Sequence, residues 1–360
     1  MVDQGTLDPV IAFIVRKFIT FMMALRKGGV GKTTIGVNVA VFLAALGFHV
    51  VIIDGDSQHN ASELSIIRDP QSGRVRTRPY SNGTFRHAIL EEESLMKVSY
   101  QVRKNLWVVP SDDKLDMGRY HILNKKDFDI IQRLLDEFSE ALEPAPPVVE
   151  RFPGWSSKST VLDMSHFKLE HTSDEEFMTP PTFVDFVFMD TPPKEDDELV
   201  VAMTYGTDKI LVPSEMAEFS IQGMRQLVNS LQARFANRPR KAEIVGIIPN
   251  KVMHVPRSAH YELDYVRSLW QYFPQFALRP VHFDVALSDA QTLHTTTLEY
   301  VKEKGLNSRA TREIADIALR LSGFKGRLAG LQSCQYCTQS AKEGIERYRA
   351  VQAQKAEQRT

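Results

Sequence analysis

Apolar residues in this chain fall into short runs that alternate with longer stretches of helical spacing, and no single continuous apolar band forms. Runs at residues 50–54, 106–110, 183–190, 209–213, 244–250 and 276–281 are short enough to be strands buried on both faces. An earlier run, FITFMMAL at residues 18–25, supplies a further strand just ahead of a glycine-rich turn. Buried strands separated by helices predict an α/β fold with a doubly wound, mostly parallel sheet and helices on both faces. Upstream, residues 10–25 read VIAFIVRKFITFMMAL. Arg16 and Lys17 divide this stretch, and neither apolar piece approaches the roughly 20 residues that a bilayer-spanning helix needs. Asp8 and Pro9 suit the cap and first position of a short extra helix.

The pattern breaks twice. Residues 140–182 contain the proline-rich EPAPPVVERFPGW, and their acidic residues outnumber Arg151, Lys158 and Lys168, which predicts an inserted surface excursion. After about Leu321 strand signals stop, and a polar tail follows that is rich in Lys, Arg and Gln. The expected organisation is an extension at 1–17, a main domain at 18–321 with the acidic insertion at about 140–182, and a basic polar tail at 322–360.

Composition adds limits. A 360-residue chain with 43% hydrophobic content can bury a large core, and a formal net charge of −1 provides no overall basic field for nucleic acid or an acidic membrane. Any such binding needs a local patch. The two cysteines, Cys334 and Cys337, imply no disulfide framework and suit a reducing cytoplasm.

Candidate chemistry begins at RKGGVGKTT, residues 26–34. It fits a phosphate-binding loop except that Arg26 stands where the first glycine usually lies, and Lys27 is an extra lysine. Gly28, Gly29 and Gly31, with Val30 between, let the backbone turn tightly and aim N–H groups at an anion, and the following helix adds its positive end. Lys32 would pair with the β and γ phosphates, and Thr33 would ligate Mg²⁺ through its hydroxyl. Residues 28–34, Thr34 included, form the expected nucleotide-binding set.

KGGVGKTT resembles the deviant phosphate loop of the ParA/MinD class of ATPases. That resemblance implies ATP and Mg²⁺ as ligands and an ATP-bound homodimer, in which Lys27 reaches the phosphates held by the partner subunit. VVIIDGDSQHNAS at residues 50–62 resembles the family segment DxDPQGNAS, so Asp56 falls at the water-positioning, Mg²⁺-linked carboxylate. Ser57 replaces proline and His59 replaces glycine, which bears on loop geometry. FVDFVFMDTPP at residues 183–193 resembles the second acidic motif and implies that Asp190 holds the metal shell before a switch-like turn.

The resemblance continues through NLWVVPSDDKL, DKILVPSEMAEFSIQGMRQLVNSL, IVGIIPNK and VALSDAQTLHTTTLEY, and is nearer to ParA than to MinD. It implies that Asn250 reads the adenine edge through its amide, with hydrogen bonding to a loop as the alternative. Before LSDA the family often has Pro-Arg-Asn, whereas this chain has His282, Phe283 and Asp284, so other base contacts do not carry over.

The function implied is an ATPase that binds double-stranded DNA nonspecifically in its ATP state. With a ParB-like or other adaptor protein it would segregate or position a plasmid, chromosome or other cargo on the nucleoid, in the cytoplasm. Only 26 residues precede Lys27, so the helix-turn-helix domain that some ParA proteins carry is not expected. DNA contacts are expected from a subset of Arg225, Arg234, Arg238, Arg240, Lys241, Lys251, Arg257, Arg267, Arg309, Arg312 and Arg320. The tail lacks the apolar face of an interfacial helix, so a MinD-like membrane role is not expected. Two alternatives stand: an iron–sulfur or metal carrier sharing Cys334 and Cys337 across a dimer, and a positioner of a protein assembly.

Overall fold

The computed structural model describes residues 16–24, 29–68, 75–146, 167–193, 197–215, 221–235, 238, 242–253, 260–273 and 276–322. The short helix expected after Asp8, the residues Lys27 and Gly28, and the tail with Cys334 and Cys337 lie outside the described residues.

In chain order the elements are β1 (Ile19–Met23), α1 (Lys32–Ala45), β2 (Val50–Asp54), β3 (Ile66–Arg68), β4 (Val75–Thr77), α2 (Phe85–Ile89), β5 (Tyr100–Arg103), β6 (Leu106–Val109), α3 (Leu115–Lys125) and α4 (Ile130–Ala141). Then come α5 (Asp174–Phe177), β7 (Phe186–Asp190), α6 (Glu198–Gly206), β8 (Lys209–Glu215), α7 (Ile221–Arg234), β9 (Glu243–Asn250), α8 (His260–Tyr272), α9 (Val285–Thr292), α10 (Thr297–Glu303) and α11 (Arg309–Ser322).

Seven strands form one sheet in the order β5-β6-β2-β7-β1-β8-β9, parallel except for β5, which runs antiparallel to β6. The central strands β1, β2 and β7 are apolar on nearly every residue because both sheet faces are covered. One face packs against α2, α3, α4, α6, α7 and α8 through residues such as Phe85, Leu134, Leu199 and Leu269. The other packs against α1 and α11 through Phe42, Val39, Ile314 and Ile317. Helix α1 is apolar all round and correspondingly buried, as expected of a helix pressed between a sheet and a second helix layer. Strand order reverses beside β1, the switch point at which α/β sheets open a crevice beyond the strand ends.

The doubly wound sheet agrees with the sequence reading, with three differences in detail. The run at 276–281 is not a strand: it touches β9 at one isolated bridge, Ile247 to Ala277, and at separate hydrogen bonds such as Leu278 N to Ile247 O at 2.8 Å and Val281 N to Pro249 O at 2.7 Å. A second bridge, Val252 to His282, lies just past both segments. Pro249 and Pro280 each lack an N–H, so a continuous ladder cannot form there. Strand β5 was not anticipated. Asn105 turns the chain at φ 63° between β5 and β6, and Arg103 is buried where a strand's charged end would ordinarily meet water. The insertion, finally, is not all surface. Glu143 N–H donates to Thr182 O at 2.8 Å and closes its base, while Phe167 and Phe177 are buried and His171 bridges to Arg103, so its described second half covers the β5 edge.

Arg16, assigned by sequence to the extension, belongs to the packed domain. It is buried, with Nε donating to Asp136 Oδ1 at 2.6 Å and Nη2 donating to Gln132 O at 3.2 Å. Among the described residues no helix is long and apolar enough to cross a membrane.

Candidate nucleotide site

Strand β1 ends inside the sheet, and the chain must turn sharply to start α1 at the sheet's carboxyl edge. Gly29 and Gly31 make that turn at φ 81° and 86°, in the left-handed region where glycine carries no steric penalty. At Gly31 the need is double, since a Cβ would stand 2.3 Å from Asn250 Nδ2. Gly31 caps α1 without any side-chain hydrogen bond. The first-turn N–H groups of a 14-residue helix therefore face the crevice without a side-chain cap, the arrangement that favours a bound anion.

Lys32 is 6% exposed. Burial holds its ammonium below the usual lysine range, while the nearby Asp190 and Asp56 charges act in the opposite direction. Thr33 Oγ1 donates to Asp190 Oδ2 at 2.7 Å. Asp190 Oδ1 is buried with no hydrogen-bond partner. Burial, then the charge of Asp54, pushes the Asp190 carboxyl up to about 7. A buried carboxylate oxygen lacking a donor, beside a threonine hydroxyl and a lysine, is a donor set that suits a hard divalent cation.

Asp190 ends β7, and its register partner on β2 is Asp54. Asp54 was not singled out by sequence, although its place two residues before Asp56 at a strand end was the available signal. It is fully buried: Oδ2 accepts from Ser62 N at 2.8 Å and Ser62 Oγ at 2.6 Å, and Oδ1 accepts from Asp56 N at 3.1 Å. Burial pushes its carboxyl up to about 6. Asp54 thus shapes the loop that carries Asp56, and Asp56 in turn accepts from Gln58 N at 3.0 Å.

Substitution of glycine by His59 leaves the loop its left-handed residue. His59 sits at φ 58°, and its Nε2 lies 2.7 Å from Asp113 Oδ1. Histidine tolerates this region better than branched residues do, and the Asp113 contact lends it a partner. On the opposite side Asn250 Nδ2 donates to Val30 O at 2.8 Å, so the loop-bonding alternative is realised by the nitrogen of its amide. Lys251, at φ 54°, donates to Gly29 O at 2.7 Å and pairs with Glu215.

Gly29, Gly31, Lys32, Thr33, Thr34, Asp56 and Asn250 line one cavity of about 490 Å³, together with residues 281–284, Leu287 and Ser288. Val30 is buried behind the loop. Lys27 and Gly28 lie outside the described residues, as do the DNA-contact candidates Arg240, Lys241 and Arg257. Of the other candidates, Arg238 pairs with Asp129, Arg309 with Glu313 and Arg320 with Asp316. Arg225, Arg267 and Arg312 are exposed, and the Arg225 guanidinium lies 5.2 Å from the Tyr272 ring centroid. Among the described residues no group of three or more His, Cys, Asp or Glu side chains forms a further metal cluster.

Residues 21–297 match the family model for the CobQ/CobB/MinD/ParA nucleotide binding domain. Over 227 residues the chain is 25% identical to the chromosome partitioning protein ParA of Caulobacter vibrioides, covering 63% of this chain and 67% of that one. It is 25% identical to protein IncC of Escherichia coli over 308 residues, 83% and 67% of the two chains. The fold is similar to that of apo McdA from Cyanothece, with a TM-score of 0.60 and 17% identity over 84% of this chain and 99% of the other.

Proposed function

The chain belongs to the CobQ/CobB/MinD/ParA nucleotide-binding family as a ParA-type P-loop ATPase, and on that footing we propose that it hydrolyses ATP as a homodimer that binds DNA nonspecifically and segregates or positions a cargo. The observation that carries the nucleotide part is the Thr33 to Asp190 hydrogen bond at 2.7 Å, beside a buried Lys32 that feels the Asp190 charge, with Asp190 Oδ1 lacking a hydrogen-bond partner. Thr33 and Asp190 are the groups that would hold Mg²⁺, with Asp56 near it. The bound ion would neutralise the β and γ phosphate oxygens.

Each chain residue then has a physical task. The α1 N-terminus and Lys32 orient the phosphates, which matters because phosphoryl transfer is accelerated mainly by positioning and by preplaced charge. Asp56, on a loop fixed by Asp54, positions the attacking water. Lys27 would act from the partner subunit, making turnover depend on dimerisation. Asn250, with its Nδ2 on Val30, offers Oδ1 to the adenine amino group. An adaptor protein would stimulate hydrolysis and release the dimer from DNA.

The test is binding to random-sequence duplex DNA without nucleotide, with ADP and with ATP across a salt series. ATP-dependent binding that weakens steeply with salt is expected, because it reports counterion release by phosphate contacts. Absence of binding in all three states would sink the DNA part of the proposal and leave the nucleotide site standing.

A further inference from the structure

The cavity is lined on one side by the glycine-rich turn with Gly31, Lys32 and Thr33, and elsewhere by a wall of residues 281–284, Leu287 and Ser288. If the phosphates lie on the loop, the nucleoside lies against that wall. Three consecutive residues there, His282, Phe283 and Asp284, are held in different ways.

His282 is anchored inward. Its backbone N–H donates to Glu313 Oε2 at 2.9 Å, its ring Nδ1 lies 2.9 Å from Glu313 Oε1, and Glu313 is a buried residue of α11. Asp284 is also engaged: Oδ1 accepts from Ala286 N at 3.0 Å and Oδ2 from Ser308 Oγ at 2.8 Å. Phe283, between them, has its backbone fixed by an N–H donated to Val252 O at 2.9 Å, yet the residue is 53% exposed. Among the described residues no aromatic ring stacks on it. The result is a large apolar ring on a rigid support at the cavity rim, a preorganised surface that loses little freedom on binding. Asn250 Nδ2 donates to Val30 O at 2.8 Å, so this amide offers a base edge its acceptor oxygen, while the Phe283 ring on the same cavity offers a surface to the base's face.

We propose that Phe283 is the nucleobase platform of this site, its ring stacking on the purine of the bound nucleotide. The proposal rests on the reading of this cavity as the nucleotide site. Stacking of a base on an aromatic side chain changes affinity by at least about fivefold, so the effect is measurable.

The test measures binding of Mg-ATP and of inorganic tripolyphosphate, which has no base, to the full-length wild type, F283A and F283W. F283A is expected to weaken ATP about tenfold and leave tripolyphosphate unchanged, and F283W to keep ATP affinity, with indole emission quenched by ATP and not by tripolyphosphate. ATP affinity unchanged in F283A, or loss of both ligands in equal measure, overturns the proposal. So does a fall in dimer content at unchanged ATP affinity, which would assign the ring to an interface between two copies. Failure of the wild type to bind either ligand would instead overturn the nucleotide site itself.

Discussion

Thr33 and Asp190 stand 157 residues apart in sequence and meet at 2.7 Å, the threonine hydroxyl donating to Asp190 Oδ2. The start of α1 and the end of β7 are thereby joined. Removing the hydroxyl should spare the fold and damage the metal-dependent part of binding. In T33A, ATP affinity with Mg²⁺ is expected to fall at least about tenfold, the loss of a charge-assisted contact. Binding of ADP without Mg²⁺ should change much less. Calorimetric titration with and without Mg²⁺ checks this, and equal losses in both conditions would refute the assignment of Thr33 to the metal.

Asp190 also fixes a pH dependence. Its carboxyl is pushed up to about 7 by burial and by Asp54, which is itself raised to about 6. A carboxyl whose folded value lies above its unfolded value stabilises the fold in its protonated form. That contribution is full below the unfolded pKa and is lost as pH rises to the folded one, between about pH 4 and pH 7. The ligand-free protein should therefore lose stability across that window, on the order of a few kcal/mol. D190N should flatten the loss and melt higher than wild type at about pH 8, while no longer gaining from Mg-ATP. Thermal melts across pH, with and without Mg-ATP, decide the point.

His59 occupies a left-handed conformation at φ 58° where related sequences place glycine. Glycine there would relieve steric cost but add unfolded-state entropy and lose the Asp113 contact, terms of about 1 kcal/mol each that partly cancel. H59G is expected to match the wild type within about 1 kcal/mol, whereas H59V, branched at Cβ, should lose about 1–2 kcal/mol. Urea titrations compare the three, and equal stability of H59V and H59G would show that the loop relaxes out of this conformation.

Much of the site was legible in the sequence because its parts are local. Gly29, Gly31, Lys32 and Thr33 lie at one turn into a helix, Asp190 ends an apolar run, and Asp56 lies two residues beyond another. What was hidden depends on registry across the sheet. Asp54 matters because β2 and β7 pair so that it faces Asp190; Asn250 was named from the sequence, but its bond to Val30 is set by where β9 places its amide. No local pattern encodes either distance. Strand β5 was missed for a related reason: Arg103 reads as a surface charge until Glu299, 196 residues later, is placed against it. The run at 276–281 failed as a strand because two prolines on neighbouring segments remove the N–H groups a ladder needs.

The Arg103 to Glu299 pair is the next test. Arg103 Nε donates to Glu299 Oε1 at 2.7 Å, and the Arg103 side chain is almost wholly buried. Despite its burial, Glu299 is held well below the usual carboxylate range by the charges and hydrogen bonds of Arg103 and His171. A lowered carboxyl stabilises the fold in its ionised form. The contribution is present above the unfolded value near 4.5 and is lost as pH falls toward the folded one. E299Q leaves a buried guanidinium without its charge partner and should cost about 3 kcal/mol near neutral pH. That deficit should shrink under acid, and a pH-independent deficit would show that shape, not charge, holds α10 to the β5 edge.

Gly31 and Asn250 form a pair whose coupling can be measured. A Cβ on residue 31 would lie 2.3 Å from Asn250 Nδ2 and would force apart the bond from that nitrogen to Val30 O. The positive φ of 86° adds a second cost that does not depend on Asn250. G31A should therefore weaken ATP binding severely, by about a hundredfold, and N250A by less. The double variant removes the clash but keeps the backbone strain, so it should bind more tightly than the sum of the two losses implies. An interaction energy of about 1 kcal/mol or more in the double-mutant cycle is expected for residues in direct contact. Strict additivity would mean that the two side chains act independently and that Asn250 does not hold the loop.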